Sequence, residues 1–225
     1  MKRKKICIFI VDRANYGRLK PVMMAIKKDR RFDMQVICTG TTLLEKYGNV
    51  SKDIEQDGFK ITSKIYMEFE GSNKQTMAMG IGTGIILITN ELAKLNPDIV
   101  LIIGDRYEAL SAAVAAAYSN IRIAHIQGGE VSGSIDESAR HAITKFSHIH
   151  FPATELAKER LLRMGEIPEY VIYSGCPSKE LINNEKNGFY PEKELIGVGN
   201  KINLDQDFVL VSYHPTTTQD RAIDE

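Results

Sequence analysis

Two short segments of the sequence concentrate side chains that could transfer protons and hold a negatively charged ligand. Asp105 and Arg106 follow one apolar run, Gln127 and Glu130 follow the next, and Asp136 comes shortly afterwards. Carboxylates give and take protons, a guanidinium group stabilises negative charge, and an amide both donates and accepts hydrogen bonds. These residue types, gathered in one place, are typical of a site for an anionic substrate.

The pattern around these residues predicts how they are brought together. Ile99–Ile103 and Ile121–Ile126 are β-branched apolar runs, and the alanine-rich segment Tyr107–Tyr118 between them suits a buried helix. This order predicts a β-α-β unit. The carboxyl ends of parallel strands face the same edge of a sheet, where open α/β proteins bind their ligands. We therefore expect the five side chains to surround one crevice.

Simpler roles remain open for the same segments. Asp105 could cap the following helix, because aspartate accepts hydrogen bonds from the unpaired amides at a helix start. Gly128 and Gly129 could merely turn the chain. The coincidence of acids, a cation and glycines at one predicted edge favours a binding site.

The first β-α turn of the chain is a second candidate for anion binding. Lys5–Val11 is a predicted strand, and the loop that follows it, Asp12–Arg18, enters a helix. Free amides at a helix N-terminus and the nearby Arg13 and Arg18 would both favour negative charge. The arginines could equally be solvated, since most arginines lie on the protein surface.

The remaining pattern predicts alternating strands and helices and hence an α/β fold. Gly80, Gly82 and Gly84 match neither the Walker pattern nor the dinucleotide fingerprint, so we assign them to close helix packing. Further strands are predicted at Phe32–Cys38, Phe59–Met67, His148–Phe151, Tyr170–Tyr173 and Phe208–Ser212, and further helices at Ser51–Asp57, Met77–Leu95, Glu137–Phe146 and Glu155–Met164.

Composition excludes several classes of partner. Lysine plus arginine equals aspartate plus glutamate at 29 each, so no overall field favours nucleic acid or an anionic membrane. No apolar run approaches transmembrane length, and the apolar run near the start of the chain is too short for a signal peptide. Cys7, Cys38 and Cys176 have no metal-ligand spacing and are expected to be cytosolic thiols, the first two buried in strands. We expect no nucleic-acid or membrane partner, no metal and a cytoplasmic location.

The domain organisation is inferred from the polar stretch near the end of the chain. Residues 1–182 are predicted to form one Rossmann-like domain, and residues 183–204, rich in Asn, Lys and Gly, a linker. A fresh strand follows the linker, so residues 205–225 are expected to begin a second Rossmann-like domain that this chain does not complete.

Several short motifs together carry a family resemblance that no single one would. The chain resembles the UDP-N-acetylglucosamine 2-epimerases, specifically the hydrolysing branch that feeds sialic-acid and related nonulosonate synthesis. The resemblance spans nearly the whole chain and rests on RANYG at 13–17, YGN at 47–49, PD at 97–98, GDR at 104–106, HIQGGEVSG at 125–133, DES at 136–138, RHAITK at 140–145, GCP at 175–177 and HP at 214–215.

The resemblance implies a fold and a reaction. The fold would be glycosyltransferase-B-like, with two Rossmann-like halves, each a parallel sheet with helices on both faces, and this chain would supply the N-terminal half. The complete enzyme would eliminate UDP from UDP-N-acetylglucosamine and then add water, giving N-acetylmannosamine. This chain alone would show little or no turnover. No cofactor is implied, and related enzymes commonly form homo-oligomers.

The resemblance also implies residue roles. Asp105, Glu130 and Asp136 are the acid–base candidates, since the C2 hydrogen of the sugar needs a positioned base. Cationic donors that would stabilise the departing diphosphate, together with other residues assigned to substrate and UDP binding, are Arg13, Gly17, Thr42, Arg106 and His214.

Two positions depart from the family pattern. Many hydrolysing relatives have a catalytic glutamate where this chain has Gln127, and a histidine where it has Thr42. Gln127 can still hydrogen-bond an acetamido group or a ring hydroxyl, so it stays among the catalytic-site residues. Three explanations remain open: Glu130 carries the acid–base role, the substrate is a modified sugar, or catalysis is impaired.

The departures leave alternative functions open. The protein could be a 2-epimerase for a modified UDP-amino sugar, a glycosyltransferase of the same architecture, or a nucleotide-sugar-binding module without turnover. A UDP-sugar is the expected partner in each case.

Overall fold

The chain forms a six-stranded parallel sheet flanked by helices in a computed structural model that describes residues 2–71, 73–184, 206–209 and 211. The strand order is β3-β2-β1-β4-β5-β6. The chain adds strands on one side of β1 up to β3 and on the other side from β4 onwards, so the order of winding reverses between β1 and β4. The strands are β1 (Lys4–Ile10), β2 (Phe32–Thr39), β3 (Ser63–Ile65), β4 (Ile99–Ile103), β5 (Arg122–Ile126) and β6 (Ile149–Phe151).

Seven helices within the described residues connect or follow these strands. They are α1 (Arg13–Lys28), α2 (Val50–Gln56), α3 (Lys74–Leu95), α4 (Tyr107–Tyr118), α5 (Ile135–Phe146), α6 (Glu155–Arg163) and α7 (Ser178–Asn184). The predicted α/β fold with a Rossmann-like parallel sheet is therefore confirmed, and α4 has the predicted bounds.

Alternate residues of β1 feed two hydrophobic cores on opposite faces of the sheet. Cys7 and Phe9 pack with α3, α4 and α5, whereas Ile8 and Ile10 pack with α1 and α2. Side chains of a strand alternate between faces, so helices on both faces bury the whole strand. This arrangement explains why the strands read as continuous apolar runs, and it confirms Cys7 and Cys38 as buried thiols.

The glycines of α3 allow that helix to approach its neighbours closely. A side chain at Gly84 would lie 2.5 Å from the Met67 methyl, and one at Gly80 would lie 3.3 Å from the Met67 carbonyl oxygen. The packing role predicted for these two glycines is confirmed. Gly82 faces open space instead.

Helix α3 also corrects the expectation that no segment approaches transmembrane length. It has 22 residues, and an 18-residue window of it has a mean hydropathy of 1.3 with 22% of the window buried. Length and composition alone would let it cross a membrane. Its glycines, threonines and exposed polar residues interrupt the apolar run, which is why the sequence pattern concealed it.

Two predicted strands are shorter than expected or missing. Only Ser63–Ile65 of the predicted strand Phe59–Met67 pairs with β2, and just before it the Thr62 hydroxyl, rather than a backbone carbonyl, accepts the Val36 amide hydrogen at 3.0 Å. Residues 170–173 are not a strand. A 3-10 turn ends at Tyr170, and Val171 alone bridges β6, since this edge segment leaves its other side chains in solvent.

The C-terminal predictions fall mostly outside the described residues. Of the predicted strand Phe208–Ser212, the described residues Phe208, Val209 and Val211 are exposed and have no strand assignment. The linker at 183–204 and the second domain at 205–225 stay predictions.

Candidate active site

The carboxyl edge of the sheet places the loops after β4 and β5 side by side. Ile103 pairs with Ile126 in the ladder, and the Gly104 amide donates to the Ile126 carbonyl oxygen at 3.1 Å. His125 joins the same two strands, since its Nε2 lies 2.8 Å from the Gly104 carbonyl oxygen. His125 therefore has a structural role between these strands, and the Asp105 and Gln127 segments share one edge.

A buried arginine links the two acidic segments. The Arg140 guanidinium forms an ion pair with Asp105, and it also donates to the Glu130 carbonyl oxygen at 2.7 Å. The Arg140 side chain is 7% exposed and the Asp105 side chain 25% exposed. Asp105 therefore does not cap α4, whose first turn has no side-chain cap. Its carboxylate is held in one orientation at the edge of the site.

Glu130 is a partly exposed acid whose surroundings favour proton transfer. Its side chain is half-buried, in the loop that follows the Gly128-Gly129 turn. Burial raises the pKa of the Glu130 carboxyl, while the charge of Arg18 opposes the rise. A raised pKa brings a carboxyl closer to neutral pH, where it can both accept and donate a proton.

Gln127 is held in a backbone conformation that is rare for residues other than glycine. Its φ is 61°. Its Oε1 accepts from Arg18 Nη1 at 2.7 Å, and its Nε2 lies 3.5 Å from Cys176 Sγ. Residues in the left-handed region store backbone strain and persist where the surroundings hold them. Gln127 thus connects α1, the end of β5 and the loop before α7.

Arg106 follows Asp105 in the chain and forms an ion pair with the neighbouring acid Glu108. Its Nε and Nη2 donate to the two carboxylate oxygens of Glu108, at 3.1 Å and 2.8 Å. Burial raises the pKa of Glu108 to about 7, and the Arg106 charge limits the rise. The Arg106 side chain is 35% exposed, so part of its guanidinium stays available to a ligand.

Asp136 lies in the first turn of α5, with its amide donating to the Ser134 hydroxyl at 3.3 Å. It comes four residues before Arg140, so both side chains project from the same side of the helix. The helix N-terminus adds unpaired amides and a positive dipole end at this place. The Asp136 carboxylate accepts from the Ser134 hydroxyl at 3.4 Å, and its place in the site stays a prediction.

The remaining predicted residues differ in how open they are to a ligand. Arg13 is exposed at the start of α1, and Gly17 has open space beyond its Cα one turn later. Thr42 is fully buried, and its hydroxyl donates to the Thr39 carbonyl oxygen at 2.6 Å. Thr42 therefore supports the loop behind the site surface, and its contact with a ligand stays a prediction. His214 lies outside the described residues.

Two residues without a predicted site role lie at this edge of the sheet, Glu108 and Arg140. Arg140 was part of a motif, and only its inward orientation reveals the pair with Asp105. Glu108 was overlooked because an acid in the first turn of a helix is usually a dipole partner. The spacing of Arg106 and Glu108, two residues apart at a helix start, was the available signal.

Comparisons with known proteins identify the family to which this chain is similar. A family model described as UDP-N-acetylglucosamine 2-epimerase matches residues 24–225. The UDP-N,N'-diacetylbacillosamine 2-epimerase (hydrolyzing) of Legionella pneumophila is 35% identical over 226 residues, covering 96% of this chain and 56% of that protein. A UDP-N-acetylglucosamine 2-epimerase of Neisseria meningitidis serogroup B is 32% identical over 217 residues, covering 96% and 55%.

A solved structure shares the fold. The crystal structure of UDP-GlcNAc 2-epimerase from Neisseria meningitidis bound to UDP-GlcNAc matches with a TM-score of 0.70 at 22% identity, over 81% of this chain and 50% of that one. The chain thus spans about half the length of the curated relatives that it matches.

Proposed function

This chain belongs to the UDP-N-acetylglucosamine 2-epimerase family, and we propose that the complete protein is a hydrolysing nucleotide-sugar 2-epimerase. The observation that carries the proposal is the Asp105–Arg140 ion pair at one edge of the sheet, next to Arg106, with Arg140 also bonded to the backbone carbonyl of Glu130. This group combines a carboxyl of raised pKa, an oriented carboxylate and a partly exposed cation, which are the elements that an elimination with an anionic leaving group requires.

The proposed reaction has two steps. In the first, a base removes the proton from C2 of the sugar while the C1–O bond to UDP breaks, leaving a C1–C2 double bond and free UDP. In the second, water adds its oxygen to C1 and a proton returns to C2 from the opposite face. The product is the free sugar epimerised at C2.

The residues of this chain divide these tasks. Glu130 is the proposed proton-transfer group, because burial raises its pKa toward the working range. Asp105, fixed by Arg140, would orient the ring or hold the attacking water. Arg106 would stabilise the charge that develops on the departing phosphate.

Gln127 would position the substrate without exchanging protons. Its oxygen accepts from Arg18 and its Nε2 donates to Cys176 Sγ at 3.5 Å, so the second amide hydrogen is the one proposed to donate to the substrate. An acetamido oxygen or a ring hydroxyl would suit such a donor. Glu130 would then carry the acid–base role that a glutamate at position 127 has in other members of the family.

Two substrates are supported by the relatives. The Legionella pneumophila relative is named for a diacetylated bacillosamine and the Neisseria meningitidis relative for N-acetylglucosamine, at similar identity. We propose UDP-N-acetylglucosamine as the first substrate to test and UDP-N,N'-diacetylbacillosamine as the second. In either case the product would feed sialic-acid or related nonulosonate synthesis.

Proton NMR of the complete protein with each UDP-sugar in deuterated water tests the proposal. We expect UDP and a free 2-epimer that carries deuterium at C2, and no turnover by this chain alone. UDP release only with an added acceptor would indicate a glycosyltransferase. Tight UDP-sugar binding with no release in any condition would indicate a binding module, and either result would overturn the proposal.

We also propose that the protein self-associates through α3. Met79, Ile86 and Leu87 on this helix are 54%, 64% and 38% exposed, although the helix is strongly apolar. The exposed Gly82 among them permits the close approach of a second helix. Light scattering of the complete protein as it elutes from a size-exclusion column should give a molar mass that is a multiple of the chain mass. The Ile86→Lys variant should give a lower molar mass. Glu159→Lys, on the polar α6, is the control, and a monomeric wild type would contradict the proposal.

We propose a cytoplasmic location because of the state of the cysteines. Cys7 and Cys38 are buried free thiols, as is typical of proteins in reducing compartments. Fractionation that recovered the protein with secreted or membrane material would contradict this.

A further inference from the structure

Glu108 is a fully buried carboxylate that the proposed reaction does not use. It is the second residue of α4, and its side chain has no exposed surface. Removing an acid from water is costly unless partners replace the lost hydration. Here the partner is Arg106, which donates Nε to one carboxylate oxygen at 3.1 Å and Nη2 to the other at 2.8 Å.

This two-pronged contact fixes the plane of the Arg106 guanidinium. The bonds occupy the edge formed by Nε and Nη2, so the outer edge that includes Nη1 has no bond to Glu108, and the Arg106 side chain is 35% exposed. Arg106 also lies over the Tyr107 ring, 5.1 Å from its centroid, and the Tyr107 hydroxyl donates to Glu68 Oε2 at 2.5 Å. The guanidinium is thus held along one edge and supported on one face.

The loop after β2 encloses the carboxylate from the other side. A side chain at Gly40 would lie 2.8 Å from Glu108 Oε1 and 2.7 Å from the Val11 carbonyl oxygen, and the φ of Gly40 is +61°. Only glycine combines this backbone conformation with so close an approach. Glu108 therefore has no room to swing away from Arg106.

We propose that Glu108 is a positioning residue, which fixes Arg106 so that the outer edge of its guanidinium meets the anionic diphosphate of the substrate. Glu108 does not touch the ligand. It lowers the net charge of the site but prevents Arg106 from adopting other rotamers, so the donor is already oriented when the anion arrives. The identity of the anion rests on the proposed function, whereas the geometry does not.

A double-mutant cycle on UDP affinity in the complete protein tests the coupling. Glu108→Gln keeps the shape but removes the charge, and we expect about tenfold weaker UDP binding by calorimetry, the scale of a lost charge-assisted hydrogen bond. Arg106→Ala should weaken binding at least as much. In the Arg106→Ala background, Glu108→Gln should have little further effect, because a positioning residue acts only through its partner.

Two controls separate this role from a general effect on the fold. Glu155→Gln removes an exposed acid from the first turn of α6 and should leave UDP affinity unchanged. Glu108→Asp is one methylene too short to reach both nitrogens and should not restore affinity. Additive losses in the cycle, or wild-type affinity in Glu108→Gln, would overturn the inference.

A second measurement needs no nucleotide and so separates the two proposals. Phenylglyoxal modifies accessible arginines, and peptide mass mapping gives the rate at Arg106 alone. In the folded Glu108→Gln protein, Arg106 should react several-fold faster than in the wild type. An unchanged rate would overturn the positioning role. If the wild type binds no UDP but this rate rises, the proposed function fails and the positioning of Arg106 stands.

Discussion

Replacing Asp105 with asparagine tests stability and chemistry together. The change keeps the side-chain shape and removes the charge that pairs with Arg140. Two unit charges about 4 Å apart attract by about 4 kcal/mol at an effective dielectric constant of about 20. The asparagine oxygen recovers about 1 kcal/mol by accepting one hydrogen bond. We therefore expect Asp105→Asn to lower the free energy of unfolding by about 2–3 kcal/mol, somewhat below the usual cost of breaking a fully buried pair.

Urea unfolding followed by circular dichroism measures this loss in the 225-residue chain. The Asp105→Asn variant should unfold at lower urea with an unchanged m-value. The control is Glu159→Gln, which breaks an exposed pair with Arg163 whose side chains are 57% and 81% exposed. Exposed pairs contribute little, so the control should change stability by less than about 1 kcal/mol.

The same variant in the complete protein measures the chemistry. Turnover should fall by about a hundredfold or more, the scale of an acid–base or orienting group. A stability loss no larger than that of the control would refute the coupling of Asp105 to Arg140. Near-normal turnover in a folded variant would refute the placement of Asp105 in the reaction.

Three further predictions concern the surroundings of this pair. Glu130→Gln in the complete protein should lower turnover about a hundredfold or more while UDP affinity, measured by calorimetry, stays within a few-fold; full turnover would contradict its proton-transfer role. Gly129→Ala should lower the free energy of unfolding in urea by about 3 kcal/mol or more, because the new Cβ would lie 2.5 Å from the Ala157 carbonyl oxygen and the φ of residue 129 is +82°. A loss below about 1 kcal/mol would disprove the clash. Burial lowers the pKa of His125 from 6.5 to about 4, so its contribution to stability is complete above pH 6.5 and is lost as the pH falls toward 4. The slope should reach about 1.4 kcal/mol per pH unit and should flatten in His125→Asn.

The central fold could be predicted because its signals are local. The apolar runs of β4 and β5 and the alanine-rich α4 specify their own structure, and parallel pairing then brings both strand ends to one edge. The strand predicted at residues 170–173 failed because a short alternating pattern at a sheet edge resembles a half-buried strand even when solvent covers most of it.

The sequence predicted that the loops after β4 and β5 share one edge of the sheet, but it could not predict the contacts within the candidate site. The pair of Asp105 with Arg140 joins residues 35 positions apart, and it depends on how α5 rotates against α4. The sequence pattern suggested proton transfer or helix capping for Asp105, whereas the structure shows an ion pair with Arg140 that contributes to stability. Likewise, the resemblance implies a ligand-binding role for Thr42, but the turn after β2 directs its hydroxyl to the backbone.

The left-handed backbone of Gln127 restricts what evolution or a designer can place there. A saturation library at this position would be filtered twice, first by folding and then by catalysis. Valine, isoleucine and threonine should be depleted at the folding step, because branching at Cβ is poorly tolerated at a φ of 61°. Glycine, asparagine and aspartate should survive that step, so their abundance after selection for turnover would report the value of the Arg18 contact separately from the backbone.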